Sequence, residues 1–321
     1  MSFPKLLAVA CAISLVAGPA LGQEFPNKPV RVVIPFTPGS ASDIVGRLVA
    51  RKLSEIWGQP VIVDNRSGAG GSIGSAVVAR SAADGYTLLV STNAHAANPA
   101  IYKSLPYNTL KDFTNLAPLA GHANVFIVGP QQGFKTLADF LAAAKAKPGQ
   151  LNFSSAGIGS ATHLNLEKFK LEARINVTHV PYKGTPEAIG DTVGGRVCCY
   201  FAPITAVVPF VQTGRAVALA VSTAKRAPLL PDVPTVAEAG VPGFDYSLWV
   251  GLWGPAGIPA KIANRINQDV NRALASTDLR DQFVKLGADP LKMTLTEFAE
   301  FTRKQIEDSQ RIIKAAGIEP Q

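Results

Sequence analysis

Cysteine, methionine and histidine are scarce, with three, two and four residues in a chain of 321. Cys11 lies in the opening apolar stretch, which leaves Cys198 and Cys199 side by side. A bridge between neighbours would close a strained ring, outside ordinary disulfide geometry. Two adjacent thiols without further Cys or His nearby also make a poor metal set. His95, His122, His163 and His179 form no H-x-x-x-H pair and no His/Cys/Asp cluster at ligand spacing. The sequence therefore calls for no disulfide, no metal and no cofactor. Runs of Lys or Arg are missing too. The formal charge is +8, but the cations are scattered singly without interleaved aromatics, so nucleic-acid binding has no electrostatic footprint. After residue 22 no stretch approaches the ~20 apolar residues of a membrane span. There is no internal repeat and no low-complexity segment.

What is present begins with an export leader. Lys5, the apolar run from Leu6 to Ala17, Gly18-Pro19 and the small-x-small ending Ala20-Leu21-Gly22 have the composition of a cleaved secretory signal over 1–22. The apolar run is too short to span a bilayer, and Ala8-Val9-Ala10 before Cys11 is a poor lipobox. The expected mature chain is soluble and periplasmic. Its length suits two domains or one large one.

Short β-branched runs alternate with helical patterns, which argues for α/β layers with a largely parallel sheet. Strands are expected at Val30–Ile34, Val61–Val63, Thr87–Ser91, Val125–Gly129, Leu151–Ser154, Val177–Val180, Val197–Phe201, Val217–Ser222 and Tyr246–Trp253. Most are continuous apolar runs, as in strands buried on both faces. Ser42-Asp43 opens a helix whose Ile44, Val45, Leu48, Val49, Leu53 and Ile56 share a face. Thr136 with Asp139, and Thr294 with Glu297, read as capping boxes. Thr185-Pro186 reads as a capping hydroxyl before a proline at the first helical position. The Pro- and Gly-rich stretch from Pro228 to Pro259 reads as a long return crossing between lobes.

Ligands of open α/β sheets bind at the carboxyl ends of strands. Two strand-to-helix loops here match in composition: Pro35-Phe-Thr-Pro-Gly-Ser-Ala-Ser-Asp43 and Ser154-Ser-Ala-Gly-Ile-Gly-Ser-Ala-Thr-His163. The first turn of a helix has unpartnered N–H groups and the positive end of the dipole. Small residues let an anion approach them. Either loop alone reads first as a tight turn and cap; the matched pair makes a shared anion site an equal reading. A third stretch, Arg66-Ser-Gly-Ala-Gly-Gly-Ser-Ile-Gly74, fails as a dinucleotide fingerprint because Ile73 stands where the last glycine is needed. Catalytic constellations are thin: Ser160 and His163 are close in sequence, but there is no G-x-S-x-G elbow.

Taken in order, Val33–Asp43, Asn65–Gly74, Ala83-Asp-Gly-Tyr-Thr-Leu-Leu89, Ser155–Ser160, His163-Leu164, His179-Val-Pro-Tyr-Lys-Gly184, Gly194-Gly-Arg-Val197, Pro234–Gly240 and Trp253–Pro259 resemble the Bug-type periplasmic substrate-binding receptors of tripartite tricarboxylate transporters. The likeness covers nearly the whole mature chain. It implies a periplasmic-binding-protein-like fold, two α/β lobes joined by two crossing strands with the ligand cleft between them. Lobe 1 would hold 23–124 and 247–321, and lobe 2 would hold 125–246. The resemblance assigns Thr37, Ser40, Ala41 and Asp43 to the first gripping loop and Ser155, Ser160, Ala161 and His163 to the second. It also places Ser91, His95 and Thr205 facing the cleft. Two positions depart from the family pattern: Gly39-Ser40 replaces two glycines, and Cys198 stands where an acidic residue commonly follows Gly-Gly-Arg-Val. The latter points to a plain carboxylate or aromatic acid over an amino acid.

The expected function is that of a non-enzymatic receptor, monomeric, capturing a small organic carboxylate for membrane transporter subunits. A sensor presenting the same solute to a membrane kinase shares the fold. An exported hydrolase built on Ser160 and His163 is the contrasting class.

Overall fold

The computed structural model describes residues 25–320; the expected leader lies outside them. In chain order the elements are β1 (Val30–Ile34), α1 (Ala41–Trp57), β2 (Val61–Asn65), α2 (Ser72–Ala79), β3 (Thr87–Thr92), α3 (Ala94–Ile101), β4 (Phe113–Val128), α4 (Leu137–Ala146), β5 (Asn152–Ser155), α5 (Ala161–Ala173), β6 (Thr178–Pro181), α6 (Thr185–Val193), β7 (Cys199–Pro203), α7 (Ile204–Gln212), β8 (Val217–Val221), β9 (Ser247–Pro255), α8 (Ala260–Ala275), α9 (Thr277–Lys285), β10 (Ala288–Pro290) and α10 (Leu295–Ala315).

The strands form one curled sheet in the order β2-β1-β3-β9-β4-β7-β5-β6, with β8 and β10 also on β4. β1 is parallel to β2 and β3, and β5 is parallel to β6 and β7. Between these two parallel sets lies the antiparallel pair β4–β9. β4 changes partners along its length: Phe113–Ala123 faces β9, and Asn124–Val128 faces β7. Ser222 ties the crossing together. Its Oγ accepts from Asn124 N at 2.9 Å and donates to Tyr246 O at 2.6 Å. The two α/β lobes joined by crossing strands are thus present.

Each lobe has its own apolar core. Val32, Ile34, Leu88, Val90, Leu116 and Leu252 pack against Val45, Val49 and Leu53 of α1 and Ile266 and Val270 of α8. The other side is phenylalanine-rich. Phe126 lies against Phe140, Phe153, Phe169 and Phe201, with ring centroids 4.8, 5.2, 5.6 and 5.1 Å away. Cys198 and Cys199 are buried free thiols in this second core.

Both expected capping boxes form: Thr136 with Asp139 opens α4, and Thr294 with Glu297 opens α10. At α6 the capping residue is Gly184, not Thr185. The Thr185 hydroxyl instead lies 3.3 Å from the Tyr200 hydroxyl, in the interior. Two strand regions went unread in the sequence. The first half of β4 contains Asn115, Pro118, Gly121 and His122, and its ladder shifts register at Asn115/Ala117 and Pro118/Ala120. Such bulges admit a proline that a regular central strand rejects. β10 has three residues, one of them proline.

Replacing Phe126 with Ala should remove the ring on which the second core converges. The expected loss is about 3–5 kcal/mol, read as a lowered urea midpoint with an unchanged slope.

Candidate ligand cleft

The two matched loops leave β1 and β5 and enter α1 and α5. Each ends in a serine with extended backbone, Ser40 (φ −73°, ψ 160°) and Ser160 (φ −68°, ψ 160°). Their side chains behave differently. Ser160 Oγ accepts from His163 N at 3.2 Å, closing the first turn of α5. Ser40 Oγ makes no bond into α1 and accepts instead from Thr185 N, at 3.3 Å, across the cleft.

The other polar groups mostly hold their own loops. Asp43 is buried, and its carboxylate accepts from Gly39 N, Arg47 Nε and Asn65 Nδ2, each at 2.9 Å. Ser155 Oγ accepts from Gly157 N at 3.1 Å and lies 2.6 Å from His179 Nε2. His163 Nδ1 accepts from Gly159 N at 3.3 Å. The rings of His163 and His179 stack at 4.2 Å. Burial pushes their pKa values down to about 3 and about 4, helped by Lys170 in both and, for His163, by the neighbouring His179. Both imidazoles are neutral, as the acceptor role of His163 Nδ1 requires.

These bonds leave four N–H groups unused. Ala41 and Ser42, and Ala161 and Thr162, occupy the first two positions of α1 and α5, where no intrahelical acceptor exists. No other hydrogen bond of the described residues takes them. All four residues line one cavity. Two helix dipoles, each equivalent to about half a positive charge, therefore point at the same small volume. The lobes meet around it: Thr37 Oγ1 donates to Glu187 Oε2 at 3.2 Å, and Tyr102 Oη donates to Ile158 O at 2.9 Å. A Cβ on Gly184 would stand 1.9 Å from Thr37 Oγ1. The space is about 20 Å³, roughly one water.

Of the residues picked from sequence, Ser40, Ala41, Ser160 and Ala161 line the cavity. Thr37 sits at its edge on Glu187. Asp43, Ser155 and His163 shape the loops from behind. Ser91 and Thr205 are buried hydroxyls without a protein partner, outside the lining. His95 does not face the cleft. Its ring packs between Phe113, Trp253 and Tyr107, at 4.5, 4.7 and 6.0 Å, and burial lowers its pKa to about 3. Cys198 lies outside the lining of this cavity and packs among the phenylalanines. The lining residues not picked from sequence are Phe36, Ser42, Thr92, Ala156, Thr162, Thr185, Pro203 and Leu248. Ser42 and Thr162 were legible as second helical positions. Thr92 and Leu248 come from β3 and β9 and carry no local signature.

The pair singled out from the sequence, Ser160 with His163, is not a nucleophile facing its base. The bond between Ser160 and His163 comes from the backbone N–H of His163, while its ring nitrogen Nδ1 is turned to Gly159.

Paired helix starts facing each other across two joined α/β lobes define a solute-binding receptor. The family model described as "Tripartite tricarboxylate transporter family receptor" matches residues 45–318, and the chain belongs to that family, one of receptors and not of enzymes. Protein BugT of Bordetella pertussis is 34% identical over 322 residues, covering 99% of each chain. A Pseudomonas sp. protein from the tcbD-tcbE intergenic region is 36% identical over 292 residues, 91% of this chain and 87% of the other. Among solved structures, an R. palustris protein with adipate has a TM-score of 0.90 at 34% identity, covering 93% of this chain and 100% of that one. MatC from Rhodopseudomonas palustris with bound malate has a TM-score of 0.85 at 32% identity, covering 90% and 100%.

All four histidines titrate below their ordinary 6.5 in the folded protein, His95 and His163 at about 3 and His122 and His179 at about 4. The unfolded chain takes up these protons near pH 6.5 and the folded chain does not. Their stabilisation is complete above pH 6.5 and is lost as pH falls towards 4 for His122 and His179 and towards 3 for His95 and His163. The expected slope is about 1 kcal/mol per pH unit per histidine. His179→Gln should flatten it by about one proton, as measured by urea unfolding at pH 7, 6 and 5.

Proposed function

We propose that this chain is a periplasmic receptor that closes its two lobes on a small carboxylate and delivers it to membrane transporter subunits. The observation that carries this is the convergence of the Ala41, Ser42, Ala161 and Thr162 N–H groups on one cavity. Oriented backbone donors at two helix starts suit a carboxylate, which offers two oxygens and one delocalised charge. Solved relatives hold adipate and malate, acids of this chemistry. Charge neutralisation by dipoles leaves no buried cation to desolvate when the cleft is open.

The lobes divide at the Ser222 crossing, near residues 124 and 247. This reading places 23–124 and 247–321 on one side and 125–246 on the other. The space of about 20 Å³ is too small for a dicarboxylate, so entry requires the lobes to part, with β4 and β9 as the connections that bend. The leader over 1–22 takes the chain to the periplasm, and among the described residues no helix is long and apolar enough to cross a membrane.

A thermal-shift screen against short mono- and dicarboxylates tests this. A ligand at a hundredfold excess over its Kd stabilises by about 2.7 kcal/mol, and at least one acid should raise Tm accordingly. A silent panel, with no acid found by mass spectrometry in the denatured supernatant, would overturn the reading. Gly184→Ala probes closure itself. Its Cβ forces Thr37 away without straining an extended backbone (φ −175°). Affinity should fall at least tenfold by calorimetry while the ligand-free Tm stays within a few degrees; unchanged affinity would show that the lobes do not meet there.

A further inference from the structure

Two residues outside the cavity lining reach one of its four donors from behind. The Ala161 carbonyl and the Thr162 N–H belong to one peptide unit, and that N–H is among the four at the cavity. Tyr246, directly before β9, donates its hydroxyl proton to the Ala161 carbonyl at 2.8 Å. A carbonyl can only accept, so the Tyr246 proton is committed there. Burial pushes the Tyr246 pKa up, which keeps the phenol protonated. Asn93 Nδ2 then donates to the Tyr246 hydroxyl oxygen at 2.9 Å. One chain of bonds thus runs from Asn93 through Tyr246 to the Ala161–Thr162 peptide and the cavity.

The ends of this chain belong to different parts of the molecule. Asn93 joins β3 to α3, and its own N–H donates to Trp249 O of β9 at 3.1 Å. Tyr246 is fixed to the other side. Its N–H donates to Ser222 O at 2.8 Å, and its carbonyl accepts from Ser222 Oγ at 2.6 Å. With the lobes divided near 124 and 247, the Asn93–Tyr246 bond passes from one lobe to the other at the crossing. Asn93 stands at the start of α3, yet its side chain makes no capping bond there, and its buried Oδ1 has no partner among the described residues. A buried amide held by one bond is costly; the bond to Tyr246 is what this side chain contributes.

We infer that Tyr246 and Asn93 are positioning residues for the bound carboxylate: the Tyr246 hydroxyl, backed by Asn93, orients and polarises the Ala161–Thr162 peptide and ties that donor to closure of the lobes. This rests on the carboxylate-receptor reading and deepens it. A hydrogen bond accepted by a carbonyl strengthens the N–H at the other end of the same amide, because linked hydrogen bonds polarise one another. The chain is complete with the lobes together, so it slows release and does not speed capture.

The experiment uses the mature chain with acetate, malate and adipate as probes, followed by calorimetry, stopped flow and the backbone resonances of Thr162. Tyr246→Phe keeps the buried ring and removes the hydroxyl. It should weaken each probe that the wild type binds by about fivefold, the scale of one net hydrogen bond, through faster dissociation at unchanged association. The ligand-induced shift of the Thr162 amide proton, which reports its bond to the carboxylate, should shrink. Asn93→Ala should produce part of the same loss, and the double variant should lose less than the sum of the two. A tyrosine that only supports the fold would lower the ligand-free Tm and leave the dissociation rate and the ligand-induced Thr162 shift unchanged. That result would overturn the positioning role and leave the carboxylate receptor standing. Additive losses would overturn the part given to Asn93. If no probe, acetate at high concentration included, perturbs wild-type Thr162, both readings fall, because acetate is the bare group that every carboxylate ligand shares.

Discussion

The antiparallel pairing of β4 with β9 is the constraint on which the rest of the molecule depends. Among the described residues it is the one place where the parallel strands of both lobes are joined in a single sheet, through β3 on one side and β7 on the other. It also fixes how the lobes face. β1 and β5 end on opposite sides of this pair, and their loops deliver α1 and α5 with N-termini towards a common volume. A helix start offers unpartnered N–H groups wherever it lies; pointing two at one cavity takes two lobes held at a set angle. Ser222 reinforces the angle by bonding β4 and the entry to β9 together.

The two loops look alike in composition and divide the labour. In the second, Ser160, Thr162, Ser155 and His163 accept from the loop's own N–H groups and His179 holds the Ser155 hydroxyl, so its shape does not wait for ligand. In the first, Asp43 does this work with Arg47 and Asn65, which releases Ser40 to reach Thr185 on the other lobe. The acidic residue beside an anion site is thus compensated and faces backwards. Preorganisation of this kind lowers the ordering cost of binding.

Much of the fold was legible because its strands are buried on both faces and its helices are amphipathic. β1, β3 and β5, for example, fall within a residue or two of their sequence assignment, and both capping boxes form. Legibility failed where tertiary pairing overrides local pattern. The start of β4 carries proline and polar residues that only bulges against β9 accommodate. His95 read as a cleft residue because it follows a strand, yet α3 turns it into an aromatic core. Thr185 read as a cap, and the packing of Tyr200 drew its hydroxyl inward.

By itself the sequence determined the α/β class, the two matched loops, the resemblance to a receptor family and the identity of the residues at the starts of α1 and α5. These follow from periodicity, capping chemistry and small residues at turns, which act over a few positions of chain. Only the tertiary structure decided which of those residues share a cavity. Ser40 meets Thr185 and Thr37 meets Glu187, and the starts of α1 and α5 line one cavity. These partners lie far apart along the chain, and their distance in space is set by how β4 and β9 cross, a relation no local pattern encodes.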